Sequence, residues 1–308
     1  MRIISFATEE SDWKTPRMGI ILYVDGADSR QRLDCEKLIA PAERPTNPLA
    51  WFDMDGRWFQ TARDTAMRLE RDPNALAAAR DKGWLVPAEA AYWFAPVPRP
   101  GKIVCIGMNY RDHAAELSLA VPKAPAIFSK FSSCVIAPGE PVLMPVGCEQ
   151  LDYEAELAVV IGRRASRVSA EHAYDYVLGY TIFNDVTARD FQFSDVQWQR
   201  GKSCDTFAPM GPAIVTTDEI PDPHTLRIAL KVGGEVMQES NTDQMIFRVP
   251  ELIEHITRHV TLEPGDVIAT GTPPGVGYGR KPPFFLKAGD VMDVEIDRIG
   301  GLGNPIEA

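Results

Sequence analysis

Short apolar runs separated by glycine and proline dominate the chain, and several alternate with a period of two, the signature of strands with one face buried. The first hundred residues have their own texture. MRIISFAT (1–8) and GIILYVDG (19–26) are two short β-rich runs, and residues 26–56 are broken by polar residues and prolines. Around Thr61 to Arg71 and Pro73 to Lys82 the apolar positions fall at helical spacing. FAPVPRPG (94–101) then packs three prolines into eight residues, which marks a stiff linker or an extended entry into a new unit. We place a domain boundary there, near residue 98. From Lys102 onward KIVCIGMNY, AIFSKF, LDYEAELAVVIGR, YVLGYTIFND, PAIVTTDEI, LRIALKVGG, DVIATGT and DVMDVEID all suit strands. One helix interrupts them. Pro250 sits in its first turn, Leu252, Ile253, Ile256 and Val260 form an apolar stripe, and Pro264-Gly265 ends it. The pattern predicts a β-rich α+β protein, with a small N-terminal α+β domain over 1–98 and a sandwich- or barrel-like roll over 99–308.

Composition narrows the class of function. The 308 residues are 45% hydrophobic and 24% charged, the balance of an ordinary globular protein. Acidic residues outnumber basic ones by 43 to 32, for a formal charge of −11. That surface repels phosphate backbones, and no basic stripe offsets it, so no nucleic-acid partner is expected. No apolar run approaches the roughly 18 residues of a membrane span, and the start lacks the features of a secretory signal. Five cysteines (Cys35, Cys105, Cys134, Cys148 and Cys204) are spread widely with no C-x-x-C pair. Neither a disulfide framework nor a thiolate zinc site fits, so reduced thiols in a cytoplasmic protein are expected.

The candidate chemistry is acidic. In LDYEAELAVVIG (151–162), a strand would point Glu154 and Glu156 to the same face, roughly 7 Å apart. Taken alone, such a pair reads more readily as the wet face of an edge strand. A third acid, Asp185, ends the apolar run GYTIFND (179–185). Three carboxylates converging from neighbouring strands would make an all-oxygen site for a hard divalent ion such as Mg²⁺ or Mn²⁺. Arg189 and Lys202 are candidates to balance an incoming anion. In IGMNYRDHAAEL (106–117) a strand gives way to a helical turn, where His113 and Glu116 are three apart and can hydrogen-bond. A carboxylate so placed orients an imidazole for general-base work, although an exposed i,i+3 pair would look the same.

Three other patterns carry less. GTPPGVGYGRK (271–281) lacks phosphate-loop spacing and runs into Pro282-Pro283, so a tight turn approaching a ligand through its backbone and Thr272 is expected. His255 and His259 lack the glutamate of a zinc-helix motif and read as a solvated helix face. Phe191, Phe193 and Trp198 read as core or interface rather than a base-stacking platform.

Taken in order, IGMNYRDHAAEL, PAIFSKF, LDYEAELAVVIG, GYTIFNDVTARDFQ, GKSCDTFAPMGP, KVGGEVMQ, PGDVIATGTPPGVG and FLKAGD resemble the fumarylacetoacetate hydrolase family. The resemblance runs from about Lys102 to the C-terminus and points to the short bacterial-type and domain-containing members. It implies a mixed β-sandwich roll, one Mg²⁺ or Mn²⁺ ion per subunit and a homodimer. By matching motif it makes Glu154, Glu156 and Asp185 the metal ligands, His113 with Glu116 the general-base dyad on a lid, and Lys202 the cation that stabilises oxyanion charge. Arg189, Gln192 and Thr272 match substrate-contacting positions, as does Lys130. Asn109 stands where long members carry a further metal-binding aspartate, so a water is expected to fill that place.

The implied substrate is a small anionic 2-oxo acid, and the leading expectation is acylpyruvate-type C–C hydrolysis through an enolate. Decarboxylation or tautomerisation of oxaloacetate and isomerisation of a hydroxymuconate or 2-hydroxyhepta-2,4-diene-1,7-dioate diacid use the same chemistry. A metal-binding β-domain without catalysis is the alternative of another class. It would have no need of His113, Glu116 and Lys202.

Overall fold

The computed structural model describes residues 1–8, 15–23, 30–87, 91–116, 118–194 and 196–308. The end of the 19–26 run and Leu117, expected in the lid, lie outside them. Twelve strands form one sheet. From one edge it runs Leu85–Val86, Arg30–Asp34, Arg17–Tyr23, Arg2–Ala7, Ala208–Thr216, Val177–Asn184, Ala155–Ile161, Val267–Ala269, Ile103–Gly107 and Ala126–Lys130. Tyr92–Phe94 and Val135–Ile136 pair at its side. Most neighbours are antiparallel, but Val267–Ala269 runs parallel to Ile103–Gly107.

The central strands explain their own sequences. Ala155–Ile161 and Val177–Asn184 are buried at every position, as strands covered on both faces must be, so they read as continuous apolar runs rather than alternations. A five-stranded sheet, built from Glu235–Asn241, Arg227–Val232, Val291–Ile296, Gly300–Glu307 and Val142–Leu143, packs against them. Its Ile228, Leu230, Val294 and Leu302 share a core with Leu157, Ile182 and Ile214. Val291–Ile296 alternates wet and buried positions, the pattern of a sheet with one solvated face. A two-stranded pair, Leu151–Asp152 with Thr187–Ala188, lies beside these sheets, and the result is a β-rich α+β fold with the two main sheets of a mixed sandwich roll.

The N-terminal residues extend the large sheet. Arg2–Ala7 lies antiparallel to Ala208–Thr216, Arg2 opposite Val215, so hydrogen bonding continues past the proline-rich 94–101 segment. Helix Arg57–Arg71 buries Phe59, Ala62, Ala66 and Leu69, one helical stripe, and Pro73–Asp81 follows it.

Two expectations are corrected. The Pro250 helix spans Val249–Thr257 and buries Leu252, Ile253 and Ile256, but Val260 lies beyond its end and is 42% exposed. The 151–162 run is two strands, Leu151–Asp152 and Ala155–Ile161, broken at Tyr153 and Glu154. There the Asn184 side chain takes the Glu154 N–H and displaces the regular ladder. Among the described residues no helix is long and apolar enough to cross a membrane. Four of the five cysteines are buried and all are free.

Candidate active site

The register of the two central strands builds the acidic centre. Ala155 lies opposite Asn184, so the residues just outside the ladder, Glu154 and Asp185, meet at one end of it. The Asp185 N–H donates to the Glu154 carbonyl at 2.9 Å, and the Glu154 N–H to Asn184 Oδ1 at 3.0 Å. One carboxylate oxygen each from Glu154, Glu156 and Asp185 lies within 4.8 Å of the others, and all three residues are buried. The edge-strand reading is therefore out: no wet acidic face exists here.

Three buried cations surround the acids. Lys202 Nζ donates to Glu154 Oε2 at 2.9 Å and to Asp185 Oδ2 at 2.8 Å. Lys130 Nζ donates to Asp185 Oδ1 at 2.6 Å and to the Val186 carbonyl at 3.0 Å. Arg189 reaches Glu154 Oε1 at 2.7 Å, Asp152 Oδ2 at 2.8 Å and Gln192 Oε1 at 3.0 Å. Burial works to raise the Glu154 carboxyl, but Lys202 and Arg189 overcome it and hold it below the ordinary range. Burial likewise works against the Lys202 ammonium, and Asp185 and Glu154 more than offset it.

Glu156 is different. Its Oε2 accepts the Gly271 N–H at 2.8 Å, and no ion pair reaches it among the described residues. Burial first, then Asp185 and Glu154, push its carboxyl well above the usual range. A buried carboxylate without a cation is costly, and a hard cation among these oxygens removes that cost. With all four ionised, Asp152, Glu154, Glu156 and Asp185 would carry one more charge than Lys130, Lys202 and Arg189 supply. A divalent ion would reverse that balance and leave the centre attractive to an anion. The donor set fits a hard ion with oxygen ligands.

The dyad sits over this centre. In helix Arg111–Glu116, His113 Nδ1 lies 3.0 Å from Glu116 Oε2, and His113 is buried. Glu116 also accepts the Gly275 N–H at 3.0 Å, so its carboxylate is anchored from both sides. Asp112 bonds to Ser240, and Arg111 Nη1 donates to the Met245 carbonyl at 2.7 Å, which fixes the helix to its surroundings. His113, Glu154, Arg189, Gln192, Lys202 and Thr272 all line one cavity of about 260 Å³. Glu156 and Asp185 are not among its lining residues and neighbour it through Glu154.

Other expected residues are placed as follows. Lys130 spends its ammonium on Asp185 and the backbone. Thr272 donates to the Ala155 carbonyl at 2.9 Å and accepts from Gln238 Nε2 at 2.8 Å. Asn109 clamps backbone: its Nδ2 donates to the Phe247 and Thr270 carbonyls and its Oδ1 accepts the Phe247 N–H. Of the two helix histidines, His255 is half-buried and His259 is exposed past the helix end.

The glycine-rich turn holds anions of its own chain. Gly271, Gly275, Gly277 and Tyr278 donate their amides to Glu156, Glu116 and Asp152. Gly275 has φ +99°, and a Cβ there would meet the Met237 carbonyl at 2.1 Å, so glycine is required.

Two contributors were not singled out in the sequence. Asp152 is fully buried and aligns Arg189; its place two residues before Glu154 in the same acidic run was the available signal. Gln238 accepts the Ala155 N–H at 2.9 Å and donates to Thr272 and the Pro273 carbonyl, which ties the acidic strand to the glycine turn. It ends the KVGGEVMQ motif, but nothing in that motif shows the link, because it crosses between sheets.

The profile of the fumarylacetoacetate (FAA) hydrolase C-terminal family matches residues 102–307. The mitochondrial oxaloacetate tautomerase of Xenopus laevis is 42% identical over 308 residues, covering 99% of this chain and 90% of that protein. Among solved structures, the fumarylacetoacetate hydrolase of psychrophilic Exiguobacterium antarcticum is similar with a TM-score of 0.78 and 34% identity, over 100% of this chain and 99% of the other. The 5-carboxymethyl-2-hydroxymuconate delta-isomerase of Mycobacterium smegmatis gives 0.73 and 32%, over 100% and 98%.

Proposed function

The chain belongs to the fumarylacetoacetate hydrolase family, and from that premise we propose that it is a divalent-metal-dependent enzyme that moves a proton on a small 2-oxo acid, with keto–enol tautomerisation of oxaloacetate as its reaction. The observation that carries this reading is His113, held through Nδ1 by an anchored Glu116, in the same cavity as Glu154 of the buried carboxylate cluster. The similarity to the Xenopus laevis tautomerase over nearly the whole chain supports it.

Glu154, Glu156 and Asp185 would hold Mg²⁺ or Mn²⁺, which when bound supplies Lewis acidity toward the carboxylate and keto oxygens of the substrate. His113 Nε2, the ring nitrogen not used by Glu116, removes the proton from the carbon next to the keto group. Glu116 stabilises the imidazolium and fixes the ring. Electrons from the broken C–H bond form the enolate, and the proton returns to its oxygen to give the enol. Lys202 uses two of its three N–H donors on Glu154 and Asp185, which leaves the third for the enolate oxygen. Arg189 and Gln192 face the same cavity and orient the anionic head. Assembly as a homodimer with one ion per subunit belongs to this reading.

A second reading is C–C hydrolysis of an acylpyruvate. The same dyad can activate a water instead of a carbon acid, and the similarity to the Exiguobacterium antarcticum hydrolase favours it. Ultraviolet absorbance of enol-oxaloacetate separates the two, followed alongside pyruvate release and cleavage of an acylpyruvate. Tautomerase action equilibrates keto and enol forms with no pyruvate and no cleavage, and a chelator stops it. Cleavage with no effect on the keto–enol rate would replace this assignment with hydrolysis.

A further inference from the structure

The cavity that contains His113, Glu154 and Lys202 is also walled by four aromatic rings, Phe128, Phe193, Trp198 and Tyr278. They come from four separate pieces of chain: strand Ala126–Lys130, the end of helix Arg189–Phe193, the residue before helix Gln199–Lys202, and the Gly277–Gly279 turn. Phe128 and Trp198 meet edge-to-face at 5.4 Å, and Phe193 and Tyr278 meet at 5.1 Å. Gly107 makes room for this wall, since a Cβ there would sit 3.1 Å from the Trp198 ring.

The rings are packed on one another yet open to solvent: Phe193 is 55% exposed, Tyr278 47% and Trp198 37%. Large rings left half-wet around a cavity gain from a ligand that covers them. The charges of the cavity are meanwhile spoken for. Its cations among the described residues are Arg189 and Lys202, and both are paired with Asp152, Glu154 and Asp185 beneath it. Lys202 lies over Phe128, 5.1 Å from its ring centroid, and serves the head, so a carboxylate laid against Phe193, Trp198 and Tyr278 would lose water and find no further cation in the cavity lining among the described residues.

We propose that Phe128, Phe193, Trp198 and Tyr278 form a tail subsite that takes a neutral, apolar and preferably planar substituent of a 2-oxo acid whose head lies at the carboxylate centre, and that it selects against a second carboxylate there. This rests on the proposed 2-oxo acid reading and extends it. Oxaloacetate is consumed by the head, the reacting carbon and one adjoining carboxylate, and it makes no demand on the wall; longer substituted 2-oxo acids do.

Substituted oxamates test this without turnover, because they share one metal-chelating head and differ only in the tail. Calorimetric titration of the full-length Mn²⁺-loaded protein with oxamate, N-benzyloxamate and N-oxalylglycine gives three dissociation constants. N-Benzyloxamate should bind at least about tenfold more tightly than the other two, as expected for burying an aromatic ring. Trp198→Ala should shrink its advantage over N-oxalylglycine to about twofold, with Phe193→Ala as a second exposed variant. The tryptophan fluorescence of the parent protein should change on N-benzyloxamate binding more than on oxamate binding, and Trp198→Ala should remove that difference. Oxamate binding with equal or reversed tail preference overturns the tail subsite alone. Failure of oxamate itself to bind the loaded protein refutes the 2-oxo acid reading, and the subsite with it.

Discussion

His113 and Glu156 are the single residues on which the proposed chemistry depends most. His113 is buried with one nitrogen tied to Glu116. Replacing it with alanine should lower turnover about 10² to 10⁴-fold, the range for loss of a general base, while Mn²⁺ affinity by calorimetry stays within twofold. Unchanged turnover would remove the dyad from the mechanism. The dyad and the Glu154–Glu156 pair were legible because their spacing is local: i,i+3 on a helical turn and i,i+2 on an extended run meet wherever the chain forms those elements, whereas Asp185 reaches them through the pairing of two strands. The role of Lys130 was not. Its contact with Asp185 joins residues 55 positions apart, and it follows from which strand faces which, a fact that spacing does not encode.

At the scale of elements, the glycine turn and the start of helix Val249–Thr257 show how local geometry serves the site. Gly275→Ala must shift the backbone against the Met237 carbonyl and so release Glu116. We expect destabilisation of about 1–3 kcal/mol in urea unfolding and a fall in turnover; a variant of unchanged activity would show that this anchor is dispensable. His224 caps the helix start differently. Its Nδ1 faces Asp222 at 3.1 Å and its Nε2 accepts the Val249 N–H at 3.1 Å, so the bond requires a neutral ring. Burial lowers its pKa against the opposing pull of Asp222, with Arg248 and Glu251 nearby. A depressed folded value means that this contribution is complete above about pH 6.5, the ordinary value, and is lost as pH falls below it. Urea midpoints measured at pH 7.5 and 5.5 should drop on acidification more in the parent protein than in His224→Gln. Equal drops would remove His224 from the acid response. The helix itself was legible from Pro250 and its stripe, but its end was not. Val260 continues the apolar spacing, and the chain turns away before reaching it.

The whole molecule is a frame that brings two strand ends, a short helix and a glycine turn to one cavity. Its β-rich, two-sheet character was readable from many short apolar runs, whereas the sheet order was not, since Arg2–Ala7 finds its partner more than two hundred residues away at Ala208–Thr216. We keep the division near residue 98 as a proposal: the family match begins at 102, while hydrogen bonding across the sheet joins both parts. The proposed homodimer would have a physical motive in strand Ala126–Lys130, which lies at the sheet edge with Ile127 and the adjoining Phe131 exposed. Light scattering should give twice the 34.1 kDa chain mass, and a monomer at micromolar concentration would contradict it. We propose above that Glu154, Glu156 and Asp185 gather round one divalent ion. Calorimetric titration of metal-free protein with Mn²⁺ tests it most directly. One site per chain is expected, with a loss of affinity of at least about a hundredfold in Glu156→Gln, which removes a ligand charge; equal binding by both proteins, or no binding by either, would rule the ion site out.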